Sequence, residues 1–205
     1  QVVFGEAHPY GRQLELSQFD TLTREETMAF YKNAYTPLAC RIVVAGQPGS
    51  DIKDLLTTHF GDVSWREGMV NLNGVSELMP SPDKFHLVEK DGALQSAIRL
   101  GRPLFNNNHP DFIPLQVVNT ILGGYFGSRL MTAVREEKGL TYGIGSSIVS
   151  YQKSGMWVIA SEVMGEMREA AVEAIFEEVK RMTDEPVDKD ELELVRNYML
   201  GELLR

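Results

Sequence analysis

The sequence predicts an α+β fold, a mostly antiparallel sheet with helices packed on one face. Two observations carry this. Strand-like runs come as neighbours in sequence, Lys84–Lys90 with Leu94–Arg102 and Tyr142–Tyr151 with Met156–Val163, which is the pattern of antiparallel hairpins. Segments with helical spacing lie between and after these pairs, giving helix-strand-helix, a linker, then strand-strand-helix-helix twice over. No tandem repeat of fixed period and no low-complexity tract interrupts this order.

Each element has a local reason. Residues 1–20 are punctuated by His8-Pro9 and Gly11 and read as loop. Thr23-Arg-Glu-Glu26 is a capping box, in which hydroxyl and carboxylate satisfy two otherwise unpaired amides. The helix it starts runs to about Tyr35, with Met28, Tyr31 and Tyr35 on one face, and Thr36-Pro37 ends it. Cys40–Ala45 is a short β-branched run and reads as a buried strand, with Cys40 as a small buried hydrophobe. Gly46–Gly49 turns the chain, and Ser50 is placed to cap a helix to about Phe60 with Leu55, Leu56 and His59 on its inner side. From Gly61 to Asp83 the pattern is irregular and rich in Gly, Asn and Pro, with Val70 and Leu72 as apolar spots, so residues 63–83 read as a linker.

Beyond the linker, Lys84–Lys90 alternates as a strand, Asp91-Gly92 turns, and Leu94–Arg102 is its expected hairpin partner. Pro110 stands where a helix start tolerates its missing N–H, and Phe112, Leu115, Val118, Asn119 and Leu122 follow at helical spacing. Ser128 is expected to cap the next helix, which ends near Lys138-Gly139. After the second strand pair, helices are predicted over Glu166–Met182 and Asp188–Leu204, separated by Pro186.

Composition excludes several function classes. A length of 205 residues with 43% hydrophobic residues holds one large domain or two small ones. A net charge of −9 without a basic run argues against nucleic-acid binding, which needs a basic face. No apolar stretch approaches the ~18 residues that span a membrane. The single cysteine, Cys40, excludes an internal disulfide. The chain opens on Gln1, which reads as a piece of a longer protein.

Chemistry-bearing residues are few. The four histidines, His8, His59, His86 and His109, include no pair at the spacing of a helical zinc site, and each has an ordinary structural or surface reading. No nucleophile elbow, phosphate-binding loop or dinucleotide fingerprint is present. Glu136-Glu137 and Glu177-Glu178 sit beside Lys138 and Lys180 and read as solvated helix faces. One stretch is denser, Gly123 to Tyr142, GGYFGSRLMTAVREEKGLTY. Its glycines can be punctuation, with Arg135 paired to a nearby glutamate and Tyr142 starting a core strand. Alternatively Arg135 and Tyr142, which flank a tight helix-to-strand turn, converge on one opening. A guanidinium fork and a phenol suit a peptide backbone or a carboxylate.

This stretch resembles the C-terminal, non-zinc domain of the insulinase/pitrilysin (inverzincin) metallopeptidases, a family that includes the mitochondrial processing peptidases and bacterial zinc proteases. The resemblance rests on Gly123-Gly124, Ser128-Arg129-Leu130 and Arg135-Glu136-Glu137-Lys138-Gly139-Leu140-Thr141-Tyr142. It extends to His8-Pro9-Tyr10-Gly11-Arg12, the Thr23–Tyr35 helix, the Arg41–Gly46 strand and the closing Asp190–Leu204 helix, so it covers nearly the whole chain.

The resemblance implies a metallohydrolase domain of the processing-peptidase type. It implies that Arg135 and Tyr142 hold peptide substrate, supported by the glycine-rich loop Gly123, Gly124 and Gly127. It places zinc elsewhere, on an H-x-x-E-H helix of a zinc-bearing N-terminal domain or partner subunit. This chain has no H-x-x-E-H, so no catalytic residue and no metal ligand is assigned within it, and it is expected to hydrolyse nothing alone. By family order, residues 1–62 are the closing helix-strand-helix of a preceding unit and residues 84–205 the opening of the next. The two are expected to form one hybrid domain, with Cys40–Ala45 joining the sheet, within one chain or by a segment swap in a homodimer. The other function class that the resemblance allows is a non-catalytic scaffold or assembly subunit of the same fold. Retention of Arg135 and Tyr142 favours the peptidase reading.

Overall fold

The computed structural model describes residues 1–37, 40–62 and 78–204, and among these, three antiparallel strands form one sheet. They are β1 (Gln95–Leu104), β2 (Thr141–Ser150) and β3 (Gly155–Met164), in the order β1-β3-β2. The hairpin β2-β3 closes through Tyr151 N donating to Ser154 O at 2.8 Å, and the register runs from Ser150↔Gly155 outward. All ten residues of β1 pair with β3, from Gln95↔Met164 to Leu104↔Gly155. The fold is therefore α+β with an antiparallel sheet, as the paired strand runs imply.

The core follows from strand alternation. Ile98, Ser161 and Ile144 face one another across the three strands, and Leu100, Ile159 and Ser146 form the next row. Against them pack Leu122, Leu130, Val134 and, from the helix Arg168–Asp184, Ala171, Ala174 and Ile175. Leu130, Val134, Ile159 and Ile175 are fully buried.

Two compact units divide the chain, one of residues 1–11 with 77–205 and one of residues 12–76. The first residues belong with the sheet because Phe4, His8 and Tyr10 form an aromatic cluster with Tyr151, with ring centroids 4.3 Å apart for Tyr10 and Tyr151. Backbone bonds from Met79 N to Phe4 O and from Ser81 N to Val2 O hold the same segment. The second unit contains α1 (Leu16–Thr21), α2 (Arg24–Ala34) and α3 (Ile52–Phe60). The capping box of α2 forms as its sequence dictates: Thr23 Oγ1 accepts from Glu26 N at 3.2 Å, and Glu26 Oε2 accepts from Thr23 N at 3.0 Å.

The helices of the first unit are α4 (Phe112–Asn119), α5 (Arg168–Asp184) and α6 (Lys189–Leu203). Between α4 and β2 the backbone adopts wider, π-helical turns at Thr120–Gly124 and Met131–Glu137. Such turns have one more residue per hydrogen-bonded ring and concentrate at functional sites.

Several expectations fail. Residues 40–45 form no strand, Cys40 is exposed, and Ile42, Val43 and Val44 are also exposed. Residues 84–90 form no strand either, and Phe85, Leu87 and Val88 stand in solvent. The Asp91-Gly92 turn does form, with Gly92 at φ 72°, but β1 takes β3 as its partner rather than the preceding segment. The reason is common to both runs. An alternating or β-branched run is compatible with a strand, yet a strand exists only where a neighbour takes its backbone groups. Asp51, not Ser50, precedes α3, and its side chain makes no capping bond. Ser128 lends its carbonyl to Thr132 N at 3.0 Å, while its buried hydroxyl has no partner among the described residues and so caps nothing. Glu178 is buried rather than solvated, because α5 turns it toward the core beside Ala174 and Ile175. Val70 and Leu72 lie outside the described residues.

The tightest constraint between helix and sheet is at Gly123. A Cβ there would lie 2.6 Å from Ser146 N, inside β2. Gly143, in the same strand, has open space around its Cβ position. Gly123→Ala is therefore expected to destabilise the chain by about 1–3 kcal/mol through overpacking, whereas Gly143→Ala should be close to neutral. Thermal or urea unfolding of the two variants checks this, and equal midpoints would contradict the contact.

Candidate functional site

The site begins at the end of α4. Asn119 is buried there, and its side chain spans to the sheet: Nδ2 donates to Ser146 O at 3.2 Å, and Oδ1 accepts from Trp157 Nε1 at 3.0 Å. Ser146 Oγ returns a bond to Asn119 O at 3.2 Å. These bonds satisfy polar groups that burial would otherwise penalise. They dock the helix end onto β2 and β3, and the π turn that follows lays Gly123 on Ser146. The chain then leaves the sheet through Gly124 and reverses in the turn Tyr125–Ser128, closed by Ser128 N donating to Tyr125 O at 3.2 Å. Gly127 occupies this turn, with the Tyr125 ring packed over it.

Two anchors hold the turn. Tyr125 packs against Tyr198 of α6, with centroids 5.0 Å apart and the rings tilted by 33°. Arg129 makes a two-pronged bond to Glu191 at the start of α6, Nε to Oε1 at 2.9 Å and NH2 to Oε2 at 2.7 Å. A planar guanidinium matches a carboxylate in this way. The bond to Arg129 holds the Glu191 carboxyl below the usual carboxylate range, against a smaller opposing effect of burial. Burial raises Tyr125, with Glu191 adding to the effect. Glu178 moves the other way: burial raises it although Arg181 lies 3.2 Å from one oxygen, and its other oxygen has no partner among the described residues.

The π-helix Met131–Glu137 places Leu130 and Val134 inward and leaves Arg135 half-buried at its outer side. The Arg135 guanidinium carbon lies 4.7 Å from the centroid of the Phe126 ring, on the turn just described. Its carboxylate neighbour Glu136 is 3.9 Å away, a loose contact. The helix ends with Gly139 N donating to Arg135 O and Leu140 N to Val134 O. This is a Schellman-type cap with each bond one residue wider than usual, which is what a π turn requires. Gly139 at φ 62° supplies the left-handed residue.

A β-bulge then decides where Tyr142 points. The β2-β3 register shifts between Thr141 and Ile144, and both of these residues face inward at 9% and 6% exposure. Thr141 Oγ1 accepts from Gly143 N at 3.1 Å and from Ser161 Oγ at 2.9 Å, which braces the bulge. Tyr142 is consequently 93% exposed. That excludes the bland expectation of a core tyrosine. Among the described residues no hydrogen bond or ring contact joins Arg135 to Tyr142, although the two flank the connection Lys138–Leu140.

A zinc site does not fit the described residues. Among them no three His, Cys, Asp or Glu side chains gather as metal ligands. His8 stacks on Phe4 with its Nδ1 accepting from Tyr10 N, and His109 stacks on Phe105 at 3.9 Å. His59 and His86 are exposed, with His86 Nε2 3.1 Å from Asp83 O. No helix among the described residues is long and apolar enough to cross a membrane.

A family model, the peptidase M16 inactive domain, matches residues 21–199. The chain belongs to this family. It is 30% identical to an uncharacterized zinc protease of Bacillus subtilis, YmxG, over 198 residues that make up 91% of this chain and 46% of that protein. It is 31% identical to an uncharacterized zinc protease of Mycobacterium tuberculosis, Rv2782c, across 75% of this chain and 35% of the relative. The fold is shared with the peptidase M16 inactive domain from Pseudomonas fluorescens, at a TM-score of 0.78 and 21% identity over 99% of this chain and 49% of that one. The chain thus spans less than half the length of the curated relatives it matches. The family expectation drawn from Ser128-Arg129-Leu130 and Arg135 to Tyr142 is borne out, as the inactive domain of a zinc protease family.

Sequence reasoning placed Asn119 on the α4 helix without its bonds to the sheet, and it missed the contact of Phe126 with Arg135 and the π turns. Phe126 precedes Arg135 by more than two helical turns and bears no periodic relation to it, so only the chain reversal brings the pair together. Glu191 could be anticipated only as one of several acidic residues at the start of α6, where negative charge is favoured.

The Arg129–Glu191 pair has a pH signature. Because the folded state lowers the Glu191 pKa, the pair's contribution is present at neutral pH and is lost as pH falls through that lowered value. Glu178, raised by burial, has the opposite sign and costs stability as pH rises through its raised value. Glu191→Gln is expected to lower stability at pH 7 by roughly 2–3 kcal/mol, the scale of a lost charged hydrogen bond at a buried arginine. Urea unfolding at several pH values should show the difference from the parent shrinking toward acid. A constant difference would assign the effect to packing instead.

Proposed function

We propose that this chain is the substrate-holding, non-zinc portion of a peptidase chamber, in which Arg135 and Tyr142 bind and orient a peptide for a zinc site on a zinc-bearing N-terminal domain or partner subunit. The observation that carries the reading is the state of these two side chains. Tyr142 is turned out of the sheet by a bulge, and Arg135 is held by a ring and a loose carboxylate rather than by a two-pronged ion pair. Among the described residues no hydrogen bond takes the donors of either side chain, which suit a peptide carbonyl or a carboxylate. The glycines Gly123, Gly124 and Gly127 serve by letting the supporting loop approach the sheet and reverse. Zinc, where the complete protein holds it, supplies the activated water, and this chain's residues supply orientation and charge.

The test uses the full-length protein, or this chain with its zinc-bearing partner. Arg135→Ala and Tyr142→Phe are each expected to cut peptide turnover by about 10²–10³-fold, the range for orienting donors at a reacting carbonyl, with unchanged unfolding midpoints. Turnover at the parent rate in both variants would favour the scaffold or assembly subunit.

The same reading carries a domain organisation: residues 1–62 close one unit, 63–83 link, and 84–205 open the next, the two parts completing one hybrid domain. The exposed apolar runs Ile42–Val44 and Phe85–Val88 support it, since both are strand-compatible surfaces left uncovered in this chain. Hydrogen exchange at amides 40–45 is expected to be fast in the monomeric chain and slowed in a segment-swapped homodimer, where the run joins the partner's sheet. Equally fast exchange in both would remove the proposal.

A further inference from the structure

Resting on the reading of Arg135 as a substrate-binding residue, we infer that Phe126 is a positioning residue, which fixes the plane of the Arg135 guanidinium for the incoming peptide. The distance is 4.7 Å from the guanidinium carbon to the ring centroid, within the range of a cation–π contact. The geometry matters as much as the attraction. A guanidinium stacks through its flat face, while its five N–H donors lie in its plane. An aromatic platform therefore orients the group without using a donor. An ion pair does the reverse, and the same chain provides the comparison. Arg129 is fixed by Glu191 through two of its nitrogens, and most of its side chain is buried. Arg135 has its guanidinium carbon over the Phe126 ring and only a loose carboxylate contact, with its side chain 33% exposed.

The platform is itself held in place. Phe126 lies in the Tyr125–Ser128 turn, which is anchored on one side by the Tyr125–Tyr198 ring contact and on the other by Ser128, Leu130 and the Arg129–Glu191 pair, all largely buried. Phe126 itself is 66% exposed, so its ring is accessible at the surface beside Arg135. The turn supplies the platform for the substrate-binding arginine, and Arg129, directly after it, supplies the anchor.

The experiment is a double-mutant cycle on peptide turnover in the full-length protein, or with its zinc-bearing partner. Phe126→Leu is expected to lower kcat/KM about threefold to tenfold, the scale of a partly exposed cation–π contact. Phe126→Tyr should restore the rate, since it returns the ring. In an Arg135→Ala background, Phe126→Leu should add nothing, because Phe126 acts through Arg135. Side-chain NMR of arginine-labelled protein, with Arg135 assigned from Arg135→Lys, should show a ring-current shift that is lost in Phe126→Leu and kept in Phe126→Tyr. Parent-rate turnover by Phe126→Leu while Arg135→Ala is impaired overturns the inference alone, as does a loss in the Arg135→Ala background equal to that in the parent. Parent-rate turnover by Arg135→Ala overturns the reading beneath it and the inference with it.

Discussion

The arrangement of this chain depends on one buried amide. Asn119 ends α4 inside the protein, where an unpaired amide is costly, and it is satisfied only by reaching two strands at once, Ser146 on β2 and Trp157 on β3. That requirement docks the end of the helix on both strands. The π turn then brings Gly123 against Ser146 so closely that no side chain fits. Everything up to Tyr142 is laid out from this junction: the reversal at Tyr125–Ser128, the π-helix and the bulged start of β2.

Within this frame two arginines illustrate opposite uses of the same side chain. Arg129 is turned inward, and its fork is taken by Glu191, tying the turn to α6. Arg135 is turned outward and is held by a ring face. The first arrangement contributes rigidity and consumes donors. The second contributes orientation and leaves donors available. The bulge at Thr141–Ile144 does for Tyr142 what the π-helix does for Arg135: each departs from the regular period so that one side chain leaves the core while its neighbours stay in it. A regular helix followed by a regular strand would have to bury one set or the other.

Much of this was legible in the chain itself. The capping box at Thr23, the left-handed glycines at Gly92 and Gly139, the β2-β3 hairpin and the helices α4, α5 and α6 follow from residues within a few positions of one another. So does the motif from Ser128 to Tyr142, on which the family resemblance rests. These features are local because hydrogen bonds of caps and turns close over three to five residues. What tertiary structure alone decided is which neighbour each element met. It gave β1 to β3 and left residues 84–90 unpaired, buried Glu178 beside the core, exposed Cys40, and left the Ser128 hydroxyl without a partner. It also put Phe126 under Arg135 and Tyr142 in solvent. Periodicity records which face of an element is apolar, but it does not record what lies opposite that face. Burial, pairing and stacking are properties of the pair, and the second member of each pair comes from a distant part of the chain.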